Sequence, residues 1–391
     1  MPEEIRNPLG KGAEHGGTPR RASAACDGAD PVAELAAGIG PGPFALIIIL
    51  AAISADLPAI LRRAREAWPR TGIAGCTTAG EICEGGYADG HIVAIAFPVS
   101  DFAAETVVID PVDAIDSRLV VSQLQQARRN LLKQHEDFPH ELAVLMVDGL
   151  SGREEQLIAS LAGGLGPVPT VGGSAGDNRK FNATHVFAQE AIHDRAAVLC
   201  LLRSKMRFKI FSFDGTRPSR TQMVVTRADT ARRAILSIND EPAAQEYARL
   251  LNVPAGHLGP EIFATRPVLV RAGGRHHVRS IRKVAPDGSL IFFGAVAEGM
   301  VLTLSEECDI AAHLDEAMQE LCGGRAPGMI LGFDCIFRRI AGEGMQQVAR
   351  INRILDRHRV AGFSTYGEQI NSMHVNQTFT GVAFYDAKDG I

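Results

Sequence analysis

The sequence predicts an α/β protein: a two-domain chain of mixed sheets covered by helices, with an antiparallel meander in the C-terminal half. Three observations predict it. At 391 residues the chain exceeds one compact core, on a prior of roughly 150 residues per domain. A pattern of strand, helix, glycine-rich turn and strand recurs three times in order. Between the second and third recurrences lies a region of short segments with alternating apolar and polar residues.

The elements follow in order. Residues 1–42 are rich in Gly, Pro and charge, as in GKGAEHGGTPRR (10–21) and GIGPGP (38–43), and read as a flexible tail. The first unit has a strand at FALIIIL (44–50) and a helix at 56–68, with Leu57, Ile60, Leu61 and Ala64 on one face. The turn TGIAGCTTAGEI (71–82) and a strand at HIVAIAF (91–97) close it. The second unit runs LAVLMVDGL (142–150), EEQLIASLAGGL (154–165), PTVGGSAGDN (169–178) and AAVLCLL (196–202). The third runs GMILGFDCI (328–336), a helix at 345–358, RVAGFSTYGEQ (359–369) and FTGVAFYD (379–386). First strand and turn stand roughly 30 residues apart, the span of a βαβ crossover. The intervening region reads as strands at 208–215, 221–229, 266–274, 276–285 and 289–304, with a helix at 240–251 and a hairpin turn at Pro286-Asp287-Gly288. A helix at 307–322 follows. These give domains at 43–225 and 226–391.

Composition excludes several function classes. Net charge is −5, which argues against nucleic-acid binding and against a polybasic membrane anchor. The seven cysteines are odd in number and lack any CxxC spacing, so neither a disulfide framework nor a thiolate zinc site is expected. The longest apolar run, ALIIILAAI (45–53), has about half the length of a membrane span. No signal-peptide pattern opens the chain, so a cytoplasmic protein without membrane insertion is expected.

The three turns GCTTAGEI (75–82), VGGSAGDN (171–178) and AGFSTYGEQ (361–369) carry the chemistry. Their hydroxyls and N–H groups suit an anion or carboxylate. Their acids equally suit a structural role, bonding the N–H groups of the turn. Candidate ligand-binding residues are Ser174, Thr365, Tyr366, Glu368 and Asn376. GGSAG (172–176) also matches a nucleophile elbow with Ser174 as nucleophile, but DNRKFNATH follows where a helix is required. No catalytic role is expected of any residue.

GCTTAGEI (75–82) and GGSAGDN (172–178) resemble the N-terminal half of the FIST sensory domain. PDGSLIFFGAVAEGMVLTL (286–304) and GFSTYGEQINSMHVNQTFTGVAF (362–384) resemble its C-terminal half, so the resemblance covers 43–391. The look is closest to the NosP-type branch of nitric-oxide-sensing haem proteins. That resemblance implies non-covalent haem b, nitric oxide as the signal, and regulation in trans of a histidine kinase or a diguanylate cyclase or phosphodiesterase. A homodimer is compatible with it. A haem needs an apolar slot and an axial ligand. His313 lies within the stripe Ile310, Leu314, Ala317, Met318 and Leu321 and is the first axial candidate. His374 shares a polar strand face with Asn376, Thr378 and Thr380 and is the second. His277 follows; His276 beside it should point to the opposite strand face. Arg271, Arg279 and Arg282 suit propionates or a ligand carboxylate. The alternative is a haem-free FIST sensor that holds an amino acid or similar polar ligand. Hydrolase chemistry at Ser174 and pure scaffolding are the remaining readings.

Overall fold

The computed structural model describes residues 17–272 and 274–385. Three copies of one unit form the body. Unit one comprises strand Arg20–Ala25, helix Pro31–Ile39, strand Phe44–Ala52, helix Leu57–Ala67, strand Gly72–Thr78, the 81–88 hairpin and strand His91–Pro98. Unit two repeats that order from Phe102–Ile109 through helices Ser117–Gln134 and Glu154–Leu165 and the 186–193 hairpin to Ala197–Ser204. Unit three begins with Arg207–Asp214 and resumes at helix Ile310–Cys322. It then runs through strand Met329–Cys335, helices Ile336–Gly344 and Val348–Arg357, strand Val360–Thr365 and the 368–375 hairpin to Thr378–Tyr385.

Each unit builds a sheet from four of its own strands, and each sheet is completed by a hairpin from another unit. The 81–88 hairpin of unit one pairs with Val360–Thr365 of unit three. The 368–375 hairpin of unit three pairs with Thr170–Ser174 of unit two. The 186–193 hairpin of unit two pairs with Gly72–Thr78 of unit one. The exchange closes a ring of three six-stranded sheets with one common strand order.

The sequence accounts for this locally. Strand Phe44–Ala52 reads as a continuous apolar run because helices cover one face and the central core the other. Asp30, Asp56, Asp116 and Asp309 each cap a helix by accepting from backbone N–H groups of the first turn. Gly75, Gly172 and Gly362 occupy the same place in the three units. A Cβ at each would overlap the carbonyl oxygen of the neighbouring parallel strand. The inner sheet faces meet in one core. Phe97, Phe102 and Phe384, one from each unit, pack edge to face there with centroids 5.2–5.9 Å apart.

Residues 217–306 are an insertion within unit three and form an antiparallel sheet of their own. Its long strand Arg217–Asp229 pairs with both Val301–Glu306 and Ala234–Ile238. Helices Ala243–Leu251 and Pro260–Thr265 pack with it around Tyr247 and Phe263. The turn expected at 286–288 is present, closed by Ala285 N–H donating to Ser289 O over 2.8 Å with Gly288 at φ +79°.

Two expectations differ from the structure. Much of the expected tail is ordered: Arg20–Ala25 is an edge strand pairing with His91–Pro98, and Pro31–Ile39 is a capped helix. The strand RRASAA has no apolar alternation, so composition hid it. Residues 1–16 lie outside the described residues. The boundary expected near 225 falls inside the unbroken strand Arg217–Asp229.

Candidate binding cleft

The repeated turns are first of all structural. Glu81 accepts from Thr78 Oγ1 and from the His91 N–H at 3.0 Å. Glu368 accepts from Thr365 Oγ1, and from Thr378 N–H at 3.1 Å and Oγ1 at 2.8 Å. Asp177 accepts from the N–H groups of Phe181, Asn182 and Ala183 at 2.6–2.9 Å, and from the Tyr366 hydroxyl. Each acid ties its turn to the chain that follows. Burial pushes the Glu368 carboxyl up to about 8, opposed by its bonds to Thr365 and Thr378. Thr365, Tyr366 and Glu368 are buried in these internal contacts, with the Tyr366 ring stacked 4.3 Å from that of Phe181.

The exchange creates three comparable junctions, and the hairpin register aligns them. Ile82, opposite Gly362, pairs with Tyr87. Phe187, opposite Gly75, pairs with Ile192. Gln369, opposite Gly172, pairs with His374. At the first junction the polar group is fully engaged: the Tyr87 hydroxyl donates to buried Asp334, which also takes Arg338 Nε at 2.7 Å. The second junction is apolar at these positions. The third junction is different. Gln369 Nε2 donates to Ser174 Oγ at 3.0 Å and reaches His374 Nδ1 at 3.4 Å, while its Oε1 has no partner. Asn376, 2% exposed, has neither amide atom bonded. A buried carboxamide without partners is costly, on the order of 1–3 kcal/mol.

These groups border a cleft of about 480 Å³. Met373–Asn376 form one wall and His276–Arg279 of the inserted sheet the other, with Glu155, Ser212 and Asp214 at the rim. Arg279 makes no ion pair among the described residues, and its Nε is buried without a partner. Arg233 instead lies 3.7 Å from Glu154 and 3.9 Å from Glu155. Burial lowers His374 to about 3, helped by the charges of Arg233 and Arg279, so its imidazole is neutral.

Of the residues singled out from sequence, His374, His277, Arg279 and Asn376 come together in this cleft. His276 joins them, contrary to the expected alternation, because the cleft wraps around the edge strand Arg275–Arg279. His276 also lines an adjoining groove of about 570 Å³ together with exposed Arg271. Ser174 is fully buried beneath the cleft, and a non-helical turn follows it. Arg282 lies over the rings of Phe181 and Phe293 instead. His313 is elsewhere. It is half-buried at the margin of its stripe, beside a 220 Å³ pocket rimmed by Arg217, Glu306, Glu307, Asp309 and Glu316. Burial and Arg338 lower its pKa. Sequence reasoning missed Gln369 and Glu155. The repeat held the signal for Gln369, which stands where Ile82 stands in the first turn.

Among the described residues no three His, Cys, Asp or Glu side chains converge in a metal-ligand group, and no helix is long and apolar enough to cross a membrane. The FIST N domain family matches residues 45–241 and the FIST C domain family matches 243–371. No curated protein matches the chain. A crystal structure of a chorismatase is similar over 94% of this chain and 98% of its own, at 9% identity and a TM-score of 0.36.

Proposed function

The chain belongs to the FIST family of sensory signal-transduction domains, and from that premise we propose that its input is a small polar ligand held in the cleft between His374 and Arg279. The observation that carries this reading is the Asn376 amide, buried with both polar atoms unpaired beside a cavity of ligand size. Amino acids and molecules of similar polarity fit the donor set. Arg279 suits a carboxylate, Glu155 suits an ammonium group, and Asn376 offers one donor and one acceptor. The output side of the proposal is regulation in trans of a histidine kinase or a cyclic-di-GMP enzyme. Its support is the resemblance of the C-terminal segment.

Haem b fits the residues poorly. Eleven of the sixteen residues lining the cleft are polar or charged. A porphyrin face laid on Asn376 would leave its amide buried and unpaired. The neutral His374 imidazole has the right chemistry for an axial bond but the wrong surroundings. The pocket at His313 falls below the roughly 300–1,000 Å³ of small-molecule sites and is ringed by charge. A hemin titration is expected to give no saturable Soret band that depends on His374 or His313.

The test is thermal shift against the amino acids and other small polar metabolites, on wild type and Asn376→Leu. The expected result is a ligand-specific shift that the variant loses while its own melting temperature holds or rises. A shift retained in Asn376→Leu would place the ligand elsewhere.

A further inference from the structure

The proposed cleft has a property beyond polarity: two sheet edges face it. Strand Met373–Val375 ends the sheet of unit two, and strand Arg275–Arg279 ends the inserted sheet. Among the described residues neither outer edge pairs with a further strand. Each offers unpaired backbone N–H and C=O groups, the template that extended chains add to. Their Cα atoms approach within 8 Å, closer than the roughly 9.6 Å that a strand inserted between them would need, so an extended chain adds to the longer Arg275–Arg279 edge and not between the two. Asn376, beside the first edge, adds a carboxamide whose N–H and C=O are unpaired, which is the complement of a single peptide group. Arg279, at the end of the second edge, adds a guanidinium without an ion pair among the described residues. Val270 and His276 line both the cleft and the neighbouring groove, so open space flanks this edge over more than one residue.

We infer that the cleft binds a short extended peptide through its backbone, with the C-terminal carboxylate on Arg279 and a peptide group on Asn376. This rests on the reading of the cleft as the ligand site and names the ligand's class. Side chains of such a peptide would project alternately, toward the polar cleft and toward the groove lined by Arg271, Val301 and Thr303. The ligand is therefore recognised by main chain and terminus, with modest preference among sequences. A free oligopeptide and the C-terminal tail of a protein present the same chemistry.

The experiment is isothermal titration of the full chain with an equimolar mixed-sequence tetrapeptide pool. Parallel titrations use the same pool C-terminally amidated, free alanine, and a protein fused to a four-residue C-terminal tail drawn from the best binders. The free-acid pool is expected to bind, with amidation or Arg279→Ala weakening it by roughly 10- to 100-fold. Asn376→Leu should weaken it comparably, while Asn376→Gln, which keeps the amide, recovers part. Equal binding of acid and amide pools would overturn the inference. So would alanine binding as tightly as the pool, or no pool binding beside a persistent metabolite shift; these two results leave the broader sensor reading standing. Binding of the fused tail as well as the free peptide would identify a protein terminus as the source. Binding of the free peptide alone would identify an oligopeptide.

Discussion

His374 and Glu368 lie six residues apart, yet burial moves their protonation in ways that oppose each other. His374 is neutral in the fold down to about pH 3 but protonates near 6.5 when unfolded. Its contribution to stability is therefore present above pH 6.5 and is lost as pH falls toward 3. Arg233, Arg279 and Glu155 are the charges around it. His374→Gln should flatten the loss between pH 7 and pH 5, by about 2 kcal/mol, in urea midpoints at the two values. Glu368 runs the other way. Its folded pKa of about 8 lies above its ordinary 4.5, so the native state holds the proton longer and stability falls as pH rises from 4.5 to 8. Glu368→Gln should remove that slope. A variant that retains it would mean that another carboxyl, such as Glu154 at about 7, dominates. The glycines give a steric prediction. Gly75→Ala, Gly172→Ala and Gly362→Ala should each cost about 1–3 kcal/mol or more, because a strand carbonyl occupies the space. Gly256→Ala, with nothing within 4 Å, should stay within about 0.5 kcal/mol. Equal costs at all four positions would refute the explanation.

At the scale of elements, the hairpins decide what each junction can do. The 81–88 hairpin is pinned by Tyr87 on Asp334 and by Arg339, which bonds Asp89 at 2.6 Å. Tyr87→Phe should lower stability by about 1–3 kcal/mol, since it strips a donor from a buried carboxylate. The 368–375 hairpin is held by neutral Gln369 on Ser174 at 3.0 Å, makes no ion pair among the described residues, and has Met373 exposed beside its turn. Its amides should exchange with solvent faster than those of the 81–88 hairpin, and ligand should slow them. Equal protection in both hairpins would contradict this account. Much of this level was legible in sequence. Helices expected at 56–68, 154–165 and 307–322 are observed at Leu57–Ala67, Glu154–Leu165 and Ile310–Cys322. The repeated turn was visible because its Gly and acid serve the same hydrogen bonds in units one and three. The helix expected at 345–358 proved to be one of two, Ile336–Gly344 and Val348–Arg357, because the Cys335–Ile336 strand end passes directly into the first. The candidate site was half legible. His374 and Asn376 share a strand face that two-residue periodicity exposes. Arg279 and Glu155 come from remote segments, and no local pattern says which edges will meet.

At the scale of the whole molecule, the ring of exchanged hairpins binds the three units into one object. No unit completes its sheet alone, so the units should unfold together. Calorimetry should show one transition carrying all three, whatever the inserted sheet at 217–306 does. Separate transitions for units one and two would show that the exchange contributes little to stability. The same ring sets a timetable for synthesis. Strand Thr170–Ser174 waits for the 368–375 hairpin, about 200 residues later, which at 5–20 residues per second is roughly 10–40 s on the ribosome. Through that interval the nascent chain carries an open strand edge beside the cleft, and it is during translation, before any signal arrives, that this protein is most exposed to capture by a chaperone or by a second nascent copy.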